Sequence, residues 1–393
     1  METIIQHEQE QNGSPPLSAG LESAAHQRRS MSPLPLSPRL SRKLRIISFC
    51  SILIILLNHA ANYEVLYGGN KLVTNFAISD FLQRLVRDGL GRVNRPMFFF
   101  ISGFLFFWTL EPQAAGFVRK FKRRFVSLVI PYLLWSLAGM AVWLVLSAVP
   151  AGQNFLGRHA PEEFFQPQAL RILLLDPVPY QLWFLRDLIF WVLLSPVIYF
   201  AAARCGWFTL IPVVMFWFSN LHLPDFGLSS SAVFIFEKNG FCFFIFGAVV
   251  AHRRWDLEEI PSKHGTLWLC LWALFAVGYV SLVQFGDRDF RLLQQLSMLA
   301  GMLALWVNYD RLPAAWRERI LPYSFYTFFI YVFHEPLLTA LKKLFFCLMP
   351  MTPATSLAAF VFLPAVVIVV CLWLGARLKN NFPKTYSVLT GGR

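Results

Sequence analysis

LRIISFCSILIILLNHAA, residues 44–61, is an apolar run long enough to cross a bilayer, and it carries His59 near its far end. A spanning helix needs roughly 17 to 25 mainly apolar residues. An imidazole inside such a run is costly in lipid, and ionisable groups in membrane segments mark working sites by default. A second instance comes late in the chain, where His334, followed by Glu335 and Pro336, falls inside the run from Leu321 to Leu341. Two such histidines argue against an inert scaffold.

The rest of the 393 residues follows the same pattern: 56% are hydrophobic and only 15% charged, against about 25% charged in soluble domains. Apolar runs at 44–62, 95–110, 125–149, 183–202, 207–221, 232–251, 266–285, 291–309, 321–341 and 355–376 predict an all-α, polytopic membrane helix bundle. The count is about ten transmembrane helices. The fifth run is short and contains Pro212, so a re-entrant or broken helix is its alternative.

The net charge of +13 would suggest nucleic acid for a soluble protein. Here Lys and Arg concentrate in alternate loops, the positive-inside pattern, which places both termini in the cytoplasm and implies no nucleic-acid partner. Cys50, Cys205, Cys242, Cys270, Cys347 and Cys371 lie in or beside apolar segments, with no CxxC pair and no metal-ligand spacing. They read as packing residues, with no disulfide and no metal expected.

Residues 1–40 are rich in Ser, Pro and Gln and cannot bury enough apolar surface to order themselves, which predicts a disordered cytoplasmic tail. The first apolar run begins too far along the chain for a cleavable signal peptide and reads as an uncleaved anchor. Residues 41–380 form one transmembrane domain and 381–393 a short cytoplasmic tail. The longest connections, Ala61–Asn94 and Pro150–Leu182, fall on the outer side. Within the first, Phe81, Leu82, Leu85 and Val86 share one face of a predicted interfacial helix, with Arg84, Arg87 and Asp88 on another.

Several polar groups could carry chemistry. Arg119, Lys120, Lys122, Arg123 and Arg124 put five cations in six positions, suited to phosphates or to membrane anchoring. Arg92 and Arg95 stand at the mouth of the second helix, where guanidinium groups need a cavity, a carboxylate or a ligand anion, unless they snorkel. Arg186 and Asp187 open the fourth helix. Adjacent helical side chains diverge by about 100°, so these two are expected not to pair with one another and to reach different helices. Pro336 predicts a local disruption around His334.

RVNRPMFFFISGFLFF (92–107), KRRFVSLVIPYLLWSL (122–137), QLWFLRDLIFWVLLSP (181–196), FFIFGAVVA (243–251) and YSFYTFFIYVFHEPLL (323–338) together resemble the type-3 acyltransferases, integral membrane enzymes that O-acylate sugars, lipids and cell-surface polysaccharides. The pieces occur in family order and cover most of the bundle. The resemblance implies a ten-helix enzyme of the cytoplasmic (inner) membrane, a cytoplasmic acyl donor, usually acetyl-CoA, and a carbohydrate or glycolipid acceptor. It implies a catalytic role for His59 and marks Arg92, Arg186 with Asp187, and His334 as site residues. The family places an arginine eleven residues before its first-helix histidine, but Ser48 stands there. Arg45 lies about one turn lower and roughly 40° around the axis, a gap its side chain spans.

The expected function is therefore O-acetyl transfer to a sugar hydroxyl. His59 serves as general base or transient acyl carrier. Arg45 and residues 119–124 hold the phosphates of CoA, while Arg92 and Arg186 neutralise charge in the cavity. The alternative is a transporter or flippase of glycan intermediates, which needs a polar cavity but no acyl donor. Inverted repeats would mark it, and none is visible.

Overall fold

The computed structural model describes residues 35–67, 70–149, 152, 159–221, 236–286 and 290–392. Most of the expected tail over 1–40 lies outside these. Regular structure among the described residues is helical except for one hairpin, β1 (Glu64–Tyr67) and β2 (Asn70–Val73). α1 (Pro38–Ala60) begins where the Ser37 side chain accepts the Leu40 N–H and Pro38 fills the first turn, a position that loses no helical hydrogen bond. After the hairpin come α2 (Ala77–Arg84), a π turn at Leu85–Gly89 and α3 (Asn94–Trp108). α4 (Ala114–Arg124) runs through a second π turn into α5 (Ile130–Ser147), and α6 (Gln168–Leu174) precedes α7 (Trp183–Leu193) and α8 (Ser195–Cys205). The remainder is α9 (Leu210–Phe218), α10 (Lys238–His252), α11 (Gly265–Phe285), α12 (Arg291–Arg311), α13 (Ala314–Ile320), α14 (Thr327–Leu348), α15 (Pro353–Asn381) and α16 (Pro383–Thr390).

Among the described residues, four stretches are long and apolar enough to cross a membrane: Ala114–Ser147, Ser195–Phe218, Ser262–Phe285 and Pro353–Asn381. They turn large apolar side chains outward, with Val145 67% and Val369 66% exposed. Such a surface belongs in lipid rather than water, and the molecule is a membrane protein. Ser195–Phe218 is not a single leg, however. At Gly206, whose φ is +55°, the chain turns back. Tyr199 of α8 and Trp207 both meet the far end of α10, at His252 and Trp255, whereas Trp217 of α9 donates to Asn239 at its start. α7 and α8 therefore make one leg and α9 a short return, with Pro212 in its first turn, where a missing N–H breaks nothing.

α3 and α10 run parallel and touch backbone to backbone. A Cβ on Gly103 would stand 2.2 Å from the Phe244 carbonyl oxygen, and one on Gly247 2.3 Å from that of Phe100, the close approach that small residues permit between membrane helices. At one end of the bundle the start of α1 is clamped by ion pairs. Buried Lys43 meets Asp310 at 2.5 Å, Arg39 meets the same carboxylate at 3.1 Å, and Arg42 meets Glu318 at 3.0 Å. At the other end Asn62, Ser79, Gln83 and Ser356 form a closed buried hydrogen-bond network that ties the exit of α1 to α2 and α15.

Two expectations change in form. α2 buries its polar side, Ser79, Asp80 and Gln83, and leaves Ile78 and Leu82 exposed. Of the expected apolar stripe Leu82 is exposed, whereas Phe81 stacks on Phe285 and Val86 packs against the core. Within the expected short tail, the described residues include α16, which packs on α5; the Trp135 indole donates to the Leu389 carbonyl, and Tyr386 is buried.

Candidate active site

A cavity of about 1030 Å³ runs along the inner faces of α1, α3, α7 and α14. Ser41, Arg45 and Phe325 line it at the ion-paired end; His59, Glu64, Arg87, Arg92 and Tyr180 line it toward the other. Arg45, Ser48 and His59 share one face of α1, as the expected angular offset requires. Their separation of fourteen residues puts Arg45 and His59 about 21 Å apart along the axis. The two ends of a single helix therefore serve the two ends of a single cavity.

His59 is in the last turn of α1, with its side chain 24% exposed. Its Nδ1 lies 2.6 Å from the Tyr180 hydroxyl, which donates at 2.7 Å to Glu335 Oε1. Thr339 donates to the same carboxylate oxygen at 2.8 Å, and Glu335 Oε2 stands 3.9 Å from His59 Nδ1. Lys342 donates to the His59 backbone carbonyl at 2.7 Å. The His334 ring centroid is 5.4 Å from that of His59. His334 Nδ1 faces the Ile330 and Tyr331 carbonyls at 2.9 and 2.8 Å, and its buried Nε2 has no partner among the described residues. Carbonyls only accept, so Nδ1 holds the proton of the neutral ring.

Pro336 does not break α14, contrary to the expected disruption; the helix is continuous from Thr327 to Leu348. Proline supplies no N–H to the carbonyl four residues earlier. That carbonyl, Val332, instead accepts the Gln181 side-chain amide at 3.1 Å, while the Tyr331 hydroxyl donates to the Gln181 carbonyl at 2.8 Å. The residue beside Tyr180 is thus held to α14 twice, and the proline leaves open one of these attachments.

Arg92 lines the cavity, pairs with Asp88 at 2.9 Å, and keeps a buried Nε without a partner among the described residues. Asp88 also accepts from Tyr63 at 2.8 Å. Burial, then the Asp88 charge, holds the Tyr63 phenol above its ordinary pKa, so it remains a donor. Arg95 pairs with Glu237 at 3.2 Å over the Trp183 ring.

Arg186 and Asp187 reach different elements as expected, but they also pair, which was not expected. They pair with each other, Nη2 to Oδ1 at 2.8 Å, and neither is among the residues lining the cavity. The flexible guanidinium arm folds back across the 100° that separates adjacent side chains. Arg186 also donates to the Leu175 carbonyl after α6, and Asp187 accepts the Glu237 N–H at the start of α10. The pair satisfies two helix ends and positions α7.

Of the proposed phosphate-binding cations, Arg45 alone lines the large cavity. Its guanidinium lies 4.8 Å from the Phe325 ring, with Lys379 at 5.2 Å from the same ring. Arg119 pairs with Glu111 and Lys120 donates to Thr109. Lys122 and Arg124 border a separate recess of about 300 Å³ that shares only Leu128 with the cavity, and Arg123 lines neither. Tyr180 and Lys342 fall in no motif of the sequence, and Glu335 stands out in it only as a neighbour of His334. Glu335, like the histidines, is an ionisable group in an apolar run, and Lys342 directly follows the end of that run at Leu341. Tyr180 has no such mark beyond preceding QLWFLRD.

His59, its Tyr180–Glu335 hydrogen-bond partners and His334 therefore meet beside an internal cavity in a lipid-facing helix bundle. A family model for the acyltransferase domain matches residues 44–376, and the chain belongs to the type-3 acyltransferase family; it is an acyltransferase. No curated protein and no solved structure gave a match.

Proposed function

We propose that this acyltransferase moves an acetyl group from cytoplasmic acetyl-CoA to a hydroxyl of a sugar in a surface polysaccharide or glycolipid. It would work from the inner membrane with about ten crossings and both termini cytoplasmic. The observation that carries this reading is the continuous cavity with Arg45 at one end, Arg92 at the other, and His59 in its wall. Placing the Arg39–Arg45 end in the cytoplasm follows the positive-inside rule.

Arg39, Arg42 and Lys43 are engaged by carboxylates. Arg45 is stacked on Phe325 instead, which leaves its donors for the phosphates of CoA while the thioester arm extends up the cavity. Arg92 and Arg95 hold the acceptor at the outer mouth, and His334 orients it beside His59. His59 takes the hydroxyl proton as the alcohol oxygen bonds to the thioester carbonyl carbon. The tetrahedral oxyanion then re-forms its carbonyl, the carbon–sulfur bond breaks, and the CoA thiolate takes the proton from the imidazolium. The products are an ester and free CoA.

The test replaces His59 by Ala, confirms membrane insertion, and follows labelled acetyl from acetyl-CoA into envelope carbohydrate. Transfer should fall by about a hundred-fold or more, the scale of a lost general base. Transfer at the wild-type rate would remove His59 from the reaction.

A further inference from the structure

We infer that Tyr180 is a positioning residue that fixes the tautomer of His59, so that Nδ1 carries the proton and Nε2 is the bare nitrogen offered to the acceptor hydroxyl. The inference rests on the acyl-transfer reading of His59. It starts from a count of protons: a phenol has one hydrogen to donate and lone pairs with which to accept. The Tyr180 oxygen is within hydrogen-bond distance of His59 Nδ1, at 2.6 Å, and of Glu335 Oε1, at 2.7 Å. Glu335 Oε1 accepts from both the Tyr180 and the Thr339 hydroxyls, so the phenolic hydrogen points to Glu335. The oxygen then meets Nδ1 with a lone pair, and Nδ1 must bring the hydrogen. Glu335 Oε2, at 3.9 Å from Nδ1, is too far to replace this contact directly.

The fold holds this chain from both sides. Gln181 is fastened to α14 through the Val332 carbonyl that Pro336 leaves open and through the Tyr331 hydroxyl, and Thr339 fixes the carboxylate oxygen that Tyr180 uses. During transfer Nε2 takes the acceptor proton and later gives it to the CoA thiolate. Nδ1–H stays on Tyr180 throughout, so no proton leaves the Tyr180–Glu335 pair.

The experiment uses the full chain in lipid vesicles with isotopically labelled histidine. Solid-state nitrogen NMR reads the tautomer, with His59→Gln identifying the His59 signals among the eight histidines. Transfer of labelled acetyl from acetyl-CoA to envelope carbohydrate, in membranes of the cells that make the protein, reads the rate. The wild type should show a protonated Nδ1 and a bare Nε2. Tyr180→Phe should populate the Nε2–H form and lower apparent kcat about ten-fold or more, with KM for acetyl-CoA unchanged within about two-fold.

A wild-type ring protonated at Nε2 overturns the inference whether or not the variant folds. So does a Tyr180→Phe protein with the wild-type tautomer, at any rate, or one in which only KM moves. Full activity in His59→Gln would instead refute the acyl-transfer reading, and the tautomer measurement would stand apart from it.

Discussion

At the scale of single residues, the charges sort themselves by whether the fold supplies a counter-charge. Arg45 faces the cavity without a carboxylate partner among the described residues, so Arg45→Ala should raise KM for acetyl-CoA about ten-fold, roughly 1.4 kcal/mol, with kcat nearly unchanged. Steady-state transfer at varied acetyl-CoA checks this, and a fall in kcat alone would contradict it. Arg186 behaves oppositely. Asp187 is fully buried and Arg186 nearly so, and stripping one partner from a buried pair costs roughly 3–5 kcal/mol. Arg186→Met should therefore lower the melting temperature in detergent; an unshifted melt with lost activity would return Arg186 to the chemistry. The sequence exposed His59 and His334 because ionisable groups stand out in apolar runs. It misjudged the Arg186–Asp187 pair because helical geometry fixes Cβ directions, not the reach of a long side chain. Tyr180 was hidden altogether, since its partner His59 lies 121 residues away.

At the scale of elements, Pro336 ties helix chemistry to the site. Proline inside a helix is about 3 kcal/mol less favourable than alanine, yet here it frees the Val332 carbonyl for Gln181. Pro336→Ala restores an N–H that competes for that carbonyl, so it should raise the melting temperature while lowering kcat several-fold. Paired melting and rate measurements check it, and a more stable variant with full activity would contradict the role. The apolar runs made the helices legible, because period and length survive any tertiary arrangement. What they could not show was local continuation or reversal. Pro336 read as a break because its compensation comes from a distant loop, and the turn at Gly206 depends on a left-handed backbone value. α16 is not legible as an anchored helix because its attachment, Trp135 to Leu389, is likewise long-range.

At the scale of the whole molecule, the lipid-facing exterior and the polar interior have one cause. Satisfying ionisable groups in a bilayer requires a protein-lined space, and the first helix spans that space from Arg45 to His59. The class of protein was readable from five aromatic segments in order. The cavity was not, because it is made by helices far apart in the chain. The central claim is that one imidazole position opens to both ends of this cavity.

The most direct measurement replaces the six native cysteines with serine, introduces His59→Cys, and exposes sealed vesicles of known orientation to a small charged thiol reagent from either side. Modification from both sides, with acetyl-CoA protecting from the Arg45 side, is the predicted result. A thiol that reacts from neither side, or from one side alone, would contradict the account.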